Sequence, residues 1–356
     1  MTIQENISRL FDQELLAQVK HFLDTHNKIV VTAHMSPDGD AVGSVVAFAR
    51  YLRAKGKDAT IVFNDAPGNN LSFIPGFSEH IIYEKNTSNP AKCQHELAKK
   101  TIEEAEAIVA LDYNTLSRLG TLEEEIRRKD APKLLIDHHL DPNTEEFFIV
   151  VSRPELCAAC EVVYRLILEL GDDDLITKEI AEPLYCGMMT DTGEFVYNCE
   201  RKDVYLIIAR LLETGFNKEE IHRKFALEQE RRVRLKGYCL YHKMVTIPEH
   251  KAAYFSLSTV ELKRFSHQKG DTEGFVNAPL DIEGIQVSAF FREEKNFIKV
   301  SLRSKGNFPV NILAEKFFNG GGHKNAAGGE FMGSLQKAED LFVKVLPAFD
   351  KYLEEK

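Results

Sequence analysis

Three short apolar runs, each ending on an acidic or imidazole side chain, constrain this 356-residue chain more tightly than any bulk property. They are Lys28-Ile29-Val30-Val31-Thr32-Ala33 before His34, Ala107-Ile108-Val109-Ala110-Leu111 before Asp112, and Lys133-Leu134-Leu135-Ile136 before Asp137. Short apolar runs rich in β-branched residues and lacking polar alternation read as strands buried on both faces. A further strand is expected at Ala59-Thr60-Ile61-Val62-Phe63. Between and after them lie helical periodicities: an amphipathic helix over residues 12–26, one from Ala41 to Lys55 closed by Gly56, and others over 156–170 and 177–189. Strands alternating with helices imply an α/β fold, a parallel sheet covered by helices on both faces. Ligands of such sheets sit at the carboxyl ends of the strands, near a switch in strand order.

The chain is too long for one ordinary core, so two domains are expected. From about 200 to 243 it is helical and strongly charged, including Glu228-Gln229-Glu230-Arg231-Arg232, which reads either as a linker or as a solvated helix face of the first domain. Strands at 252–258, 284–292 and 296–303 and helices at 309–318 and 335–350 form a second, smaller α/β domain. The expected division is a metal-binding domain over 1–200, a helical linker over 201–243 and a substrate-binding domain over 244–356.

An apolar share of 44% and a charged share of 28% match a soluble globular protein, and no apolar run approaches the roughly 20 residues that span a bilayer. The start, Met1-Thr2-Ile3-Gln4-Glu5, lacks the basic and apolar regions of a secretory signal, so a cytoplasmic location without membrane attachment is expected. Six scattered cysteines include one close pair, Cys157-Ala-Ala-Cys160, read as reduced thiols packed in a helix. A net charge of −10 argues against a binder of long duplexes, which needs a broad basic face, but leaves room for a short, locally basic groove. Any nucleic-acid partner is expected to be short and single-stranded.

The chemistry lies in four segments: His34-x-x-x-Asp38-x-Asp40, Asp112, Asp137-His138-His139 and Asp191. They supply carboxylates and imidazoles in the number needed for two divalent cations. Asp112, alone at its strand end, suits a bridge between the ions. His34 and Asp38 suit one ion; Asp40, His138 and Asp191 suit the other. Four carboxylates roughly cancel two dications, leaving an incoming phosphate to complete the coordination. Divalent metal lowers the pKa of water from about 15.7 to near 7 and neutralises charge building on phosphoryl oxygens. Mixed imidazole and carboxylate donors without thiolate favour Mn²⁺, with Mg²⁺ or Co²⁺ as substitutes. His139 then remains for the substrate, as general acid or hydrogen-bond donor. Each segment alone has a plainer reading: a turn at Asp38-Gly39-Asp40, a helix N-cap at Asp112, satisfied histidines at 138 and 139, a turn at Asp191-Thr192-Gly193. All four in order at strand ends point to metal-assisted cleavage of a phosphate ester.

Gly320-Gly321-Gly322-His323 adds a candidate phosphate site, because backbone without Cβ approaches an anion closely. Arg303 and Ser304 on a neighbouring strand add a guanidinium and a hydroxyl, with Arg292 a weaker candidate. The plainer reading of the glycine run is a surface loop before a strand. Phe317 and Phe318 could be taken for base-stacking platforms, but their helical spacing makes them core.

His34-Met-Ser-Pro37-Asp38-Gly39-Asp40-Ala41-Val-Gly43-Ser44, the Asp112 segment, Asp137-His138-His139 and Gly187-Met-Met-Thr190-Asp191-Thr192-Gly193 resemble the motifs of the DHH phosphoesterase superfamily. Gly320-Gly321-Gly322-His323-Lys-Asn-Ala326-Ala327-Gly328 resembles the signature of its companion DHHA1 domain. Within the superfamily the chain is similar to stand-alone oligoribonucleases that also act on 3′-phosphoadenosine 5′-phosphate (pAp). The resemblance implies one manganese on His34, Asp38 and Asp112 and another on Asp40, Asp112, His138 and Asp191. It implies that Asp137 orients the histidines, that His139 contacts the scissile phosphate, and that the second domain binds the terminal nucleotide. A histidine-led first motif separates the chain from RecJ-type exonucleases, whose first motif begins with aspartate. Competing expectations are a phosphodiesterase for linear or cyclic dinucleotides (pApA, cyclic di-AMP), a family II-like pyrophosphatase, against which the Gly320–Gly328 run speaks, and a non-catalytic nucleotide-binding module. The last predicts a missing ligand carboxylate, and none is missing. Polarity of attack and oligomeric state are not legible, and a homodimer stays open.

Overall fold

The computed structural model describes residues 6–85, 93–268 and 270–353; the opening Met1–Glu5 segment and the last residues of the expected second domain lie outside them. The chain divides into two compact units between Leu227 and Glu228.

The first unit runs α1 (Gln13–Thr25), β1 (Lys28–Thr32), α2 (Gly39–Ala54), β2 (Asp58–Phe63), β3 (His80–Ile82), α3 (His95–Glu104), β4 (Ala107–Leu111), α4 (Glu123–Arg128), β5 (Lys133–Asp137), β6 (Ile149–Ser152), α5 (Ala159–Glu169), α6 (Lys178–Asp191), α7 (Lys202–Leu212) and α8 (Lys218–Phe225). Its six strands form one parallel sheet in the order β3-β2-β1-β4-β5-β6. The order reverses between β1 and β4, which places the switch point between the strands that lead into His34 and Asp112. β4 is apolar throughout, and β1 and β5 are apolar between their end residues, because both faces are covered. Ile29 and Val31 of β1, Val109 and Leu111 of β4 and Leu134 and Ile136 of β5 belong to one core, and Val30, Ile108, Ala110 and Leu135 to another. Each fully buried aliphatic side chain contributes about 1.5–3 kcal/mol.

α2 begins where Asp38 accepts from the Asp40 and Ala41 amides, and ends at Lys55 with Gly56 left-handed (φ 80°) just beyond. It crosses α6 at very short range. A Cβ on Gly39 would lie 2.3 Å from Thr190 Oγ1, and one on Gly43 would lie 2.5 Å from the Pro183 carbonyl oxygen. That close crossing brings the start of α2 to the end of α6.

The second unit contains α9 (Glu230–Tyr238), a wide π-type turn at Cys239–Lys243, β7 (Val245–Ile247), β8 (Ala252–Leu257), α10 (Thr259–Arg264), β9 (Val287–Glu293), β10 (Ile298–Ser304), α11 (Val310–Phe317), β11 (Gly321–His323), β12 (Ala326–Phe331) and α12 (Leu335–Val345). Its mixed sheet has the order β11-β12-β10-β9-β8-β7, with only β8 and β9 parallel. α11 and α12 cover one face over Val287, Ala289, Phe291, Val300 and Leu302, with Phe318 in the same core. Leu235 of α9 and Leu262 of α10 pack with Phe255 and Phe290 in another cluster.

The stretch read as a linker over 201–243 is shared between the units. Val204, Ile207 and Leu211 of α7 and Ile221 of α8 lie in the first unit's core, whereas Leu235 and Cys239 pack in the second. Among the described residues no helix is long and apolar enough to cross a membrane. Cys157 and Cys160 are free and buried at the start of α5.

Candidate functional site

The register sets Thr32 level with Ala110 and Leu111 level with Ile136, so the chain leaves β1, β4 and β5 at one height. His34, Asp112, His138 and His139 follow directly. The α2–α6 crossing adds Asp38 and Asp40 from one helix and Asp191 from the other. Three sets of donors result, in each of which the ligand atoms lie within 4.8 Å of one another: His34, Asp38 and Asp112; Asp40, His138 and Asp191; Asp112, His138 and His139. All six expected ligands are thus brought together.

Asp112 stands at the centre. Its Oδ2 lies 3.6 Å from His34 Nε2, while its Oδ1 lies 3.5 Å from His138 Nε2 and 3.7 Å from His139 Nδ1. The separations to His34 and His138 are long for hydrogen bonds, and they suit two donors that each stand about 2.1 Å from a shared cation. Asp38 Oδ2 is 3.9 Å from His34 Nε2; Asp40 Oδ2 and Asp191 Oδ2 are 3.8 and 3.6 Å from His138 Nε2. Asp112 itself has left-handed backbone (φ 62°), with its amide on the Ile136 carbonyl, which turns the chain sharply off β4. It is not the N-cap of the following helical turn, where Thr115 stands.

The histidines are aimed by their second nitrogen. His34 Nδ1 donates to the Met35 carbonyl at 2.9 Å and His138 Nδ1 to the Leu156 carbonyl at 3.3 Å, which leaves each Nε2 as a donor atom for metal. His139 Nδ1 is 2.8 Å from Asp137 Oδ1. Asp137 therefore orients His139 alone, whereas a backbone carbonyl orients His138.

Asp40 is gripped from behind: the Ala159 amide donates to Oδ2 at 2.6 Å and the Cys160 amide to Oδ1 at 3.0 Å. These are the first amides of α5, whose dipole favours a carboxylate there. No polar side chain marks this support in the sequence.

Charge is concentrated in the cluster. Burial, and then the neighbouring Asp112, pushes the Asp40 carboxyl up to about 7. Asp191 is pushed well above the ordinary range by burial of its carboxyl and then by Asp40, although 32% of its side chain still reaches solvent. Burial would also raise Asp112, but His138 and His34 beside it outweigh that and hold it far below the ordinary range. Burial would lower His34, yet Asp112 and Asp38 raise it to about 9. Carboxylates crowded this closely are a standing demand for cations.

In the second unit, Arg303 of β10 faces Ala326 of β12, which faces His323 of β11, so the three share one row on one face of the sheet. Arg303 is half-buried, and its Nη1 donates to the Leu302 carbonyl at 3.0 Å. Burial lowers its pKa, an effect that the charge of Glu273 partly offsets. Ser304, its chain neighbour, points to the opposite face. It is buried, donates to the Phe308 carbonyl at 2.7 Å and accepts from Asn325 at 2.9 Å, so its hydroxyl serves the core rather than the Arg303 row. Arg292 is held by Thr272 and Glu294. The glycine run forms the β11–β12 hairpin rather than a loop. A Cβ on Gly320 would sit 1.9 Å from the Gly328 carbonyl oxygen and one on Gly322 (φ 137°) 2.6 Å from that of Ala326, whereas Gly321 meets nothing nearer than 4.0 Å. Two of the three glycines are therefore required by the protein's own backbone.

A parallel sheet with a carboxylate–imidazole cluster for divalent metal at its switch point defines a metal-dependent hydrolase. The chain belongs to the DHH family: the family model for the DHH family, N-terminal domain, matches residues 28–188, and that for the DHHA1 domain matches residues 252–354. It is 31% identical over 305 residues to the bifunctional oligoribonuclease and PAP phosphatase NrnA of Thermus thermophilus, across 86% of this chain and 84% of that one. Identity to the protein of the same name from Bacillus subtilis is 27% over 310 residues, across 86% and 90% of the two chains. The crystal structure of an exopolyphosphatase-related protein from Bacteroides fragilis matches with a TM-score of 0.92 at 38% identity, over 98% of this chain and 100% of that one.

Proposed function

We propose that this chain hydrolyses short oligoribonucleotides to mononucleotides and removes the 3′-phosphate of pAp, using two Mn²⁺ ions that Mg²⁺ or Co²⁺ can replace. The observation that carries the reading is Asp112, whose two carboxylate oxygens face His34 and His138 separately. His34, Asp38 and Asp112 would hold one ion; Asp40, Asp112, His138 and Asp191 the other. The residues fit: imidazole Nε2 atoms and carboxylates are hard-to-intermediate donors, and the Cys160 thiol beside Asp40 is pushed up by burial and stays protonated. When bound, the cations supply an activated water at neutral pH and neutralise charge on the phosphoryl oxygens.

The chain's own groups do the rest. Asp137 fixes the His139 ring through Nδ1, so that Nε2 is the atom that exchanges a proton with the substrate. Asp40, held by the α5 amides, keeps its place against His138 without the reorganisation a loose carboxylate would need. In the second unit, Arg303 and His323, in one row with Gly321 nearby, would grip a terminal phosphate; Gly320, Gly322 and Ser304 support the strands that present them. The partners are short single-stranded RNAs and nucleotides, and the two relatives named for oligoribonuclease and PAP phosphatase activity support this choice. A cytoplasmic location belongs to the same reading, with five buried free thiols in keeping with it.

The test is incubation of purified protein and Mn²⁺ with a labelled RNA trimer and with pAp, resolving product lengths over time. Release of mononucleotides and inorganic phosphate is expected, and Asp112→Ala should abolish both while leaving the fold largely intact. Parallel rates on pApA, cyclic di-AMP, pyrophosphate and polyphosphate rank the alternatives. Pyrophosphate or polyphosphate cleaved in preference to the RNA trimer would overturn the reading.

A further inference from the structure

Three consecutive residues just past Asp191 hold left-handed backbone: Gly193 (φ 56°), Glu194 (φ 60°) and Phe195 (φ 66°), with Asn198 (φ 53°) close behind. Glycine does so freely and asparagine tolerates it, but Glu194 and Phe195 are each disfavoured there by about 1–2 kcal/mol. The turn is nevertheless firmly anchored. The Val196 and Tyr197 amides both donate to the Thr192 carbonyl, at 2.9 and 2.8 Å, and the Glu194 amide donates to the Met189 carbonyl at 2.7 Å. The Phe195 amide donates to Thr192 Oγ1 at 2.9 Å, and its ring packs on Tyr185 with centroids 5.4 Å apart. Glu194 Oε2 lies 3.1 Å from His222 Nδ1.

This strained but fixed turn holds Val196 and Tyr197 in solvent, 65% and 64% exposed. Tyr197 is not loose, because a Cβ on Gly193 would come within 2.9 and 3.0 Å of its Cδ2 and Cε2 atoms. The ring therefore lies against the backbone two residues beyond Asp191, with its other surface open. Packing does not explain it, since a ring so exposed buries little area. Backbone strain of this kind gathers beside functional centres, where it holds a group in a place it would not otherwise take.

We infer that Tyr197 is a platform on which a nucleobase of the substrate stacks, next to the phosphate being cut. The inference rests on the phosphoesterase reading and deepens it, because it makes an aromatic base part of what the first unit recognises. A ring face accepts every base, at about 1–3 kcal/mol per stacked base, so mixed RNA sequences and the adenine of pAp are served alike. Pyrophosphate and polyphosphate, having no ring, gain nothing from it.

The experiment compares wild type, Tyr197→Ala, Tyr197→Phe and Tyr197→Trp on pApA and on the same dinucleotide with both bases removed. Y197A should raise KM for pApA about 5- to 150-fold, the conversion of that stacking energy, with kcat little changed. Phe and Trp should keep the wild-type KM, and the abasic substrate should not distinguish Y197A from wild type. An equal change on both substrates, or failure of Phe to replace Tyr, overturns the inference. If wild type cleaves neither substrate, the phosphoesterase reading falls separately. Calorimetric binding of AMP and ribose 5-phosphate then still decides the role of Tyr197: loss of the preference for AMP in Y197A supports it, and its retention overturns it.

Discussion

Gly43 of α2 lies against Gly187 of α6 so closely that a Cβ on Gly43 would come within 3.1 Å of the Gly187 Cα and 2.5 Å of the Pro183 carbonyl oxygen. On the far side, a Cβ on Gly187 would meet Cys160 Sγ at 2.3 Å and Asp40 Oδ1 at 3.0 Å. The two glycines thus set the distance between the helix that carries Asp38 and Asp40 and the helix that ends at Asp191. In an ordinary helix, alanine is favoured over glycine by about 1 kcal/mol. Here the obstacle to Gly43 is backbone, which cannot rotate away, and that to Gly187 is the fully buried Cys160 thiol and the amide-held Asp40 carboxylate, so crowding decides the sign. Gly43→Ala and Gly187→Ala should each destabilise by about 1–3 kcal/mol in urea unfolding and weaken Mn²⁺ binding by calorimetry. Gly237→Ala, where nothing lies within 4 Å of the added Cβ, should be neutral or slightly stabilising.

Asp191 sets function against stability. Burial, then Asp40, Asp38 and Asp112, all disfavour its charge, and His138 only partly offsets them. Asp191→Asn should therefore raise the metal-free melting temperature, by the equivalent of about 1 kcal/mol, and should reduce the further rise that Mn²⁺ gives the wild type. A metal-free variant less stable than wild type would show that Asp191 holds the fold through contacts other than charge.

The parts of this arrangement that were legible in the sequence are those that side chains announce. β4 falls where its apolar run predicts, and His34, Asp112 and His138 converge because parallel strands end at a common edge, where the α2–α6 crossing adds Asp38, Asp40 and Asp191. What was not legible depends on backbone. The Ala159 and Cys160 amides behind Asp40, and the Met35 and Leu156 carbonyls behind the two histidines, belong to residues whose side chains say nothing about that task. The glycine run hid a hairpin, because close strand approach and anion binding ask for the same residue. Ser304 is a different case: neighbours on a strand face opposite sides, so Arg303 and Ser304 could never have shared one ligand, and period-two alternation alone carried that signal.

The α5 terminus that holds Asp40 is itself locked by a buried ion network. Glu161 accepts from the Cys157 amide at 3.0 Å, from Arg165 Nε at 2.9 Å and from Arg201 Nη1 and Nη2 at 3.0 and 2.5 Å, and Arg165 continues to Asp203 and the Ser8 carbonyl. Glu161 and Arg165 are both fully buried. Removing one member leaves guanidinium charge without its partner, at a cost of about 3–5 kcal/mol. Glu161→Gln should lower stability by that order in denaturant unfolding. Because α5 then loses its fixed start, Mn²⁺ affinity should fall as well, measured at a temperature where the variant remains folded.

Glu261 gives the second unit a pH dependence with a definite sign. It forms a capping box with Ser258, accepting from that residue's amide and hydroxyl at 2.8 Å each, and its other oxygen accepts from the Tyr238 hydroxyl at 2.7 Å and lies 2.9 Å from Lys243 Nζ. Burial alone would raise its pKa, but the Ser258 amide, Tyr238, Lys243 and the Ser258 hydroxyl together lower it to about 2. A carboxyl whose folded pKa lies below its unfolded value of 4.5 stabilises the fold fully above that value. The contribution fades as pH falls from there toward 2. With discount for the solvent that reaches the pair, Glu261→Gln should lose about 1–2 kcal/mol at pH 7, since the cap and its ties to α9 both weaken. Urea unfolding of the full chain, followed by a probe of the second unit, should show the difference between variant and wild type narrowing between pH 4.5 and the acid limit of folding. A difference that stays constant over that range would mean that Glu261 acts through shape, not charge.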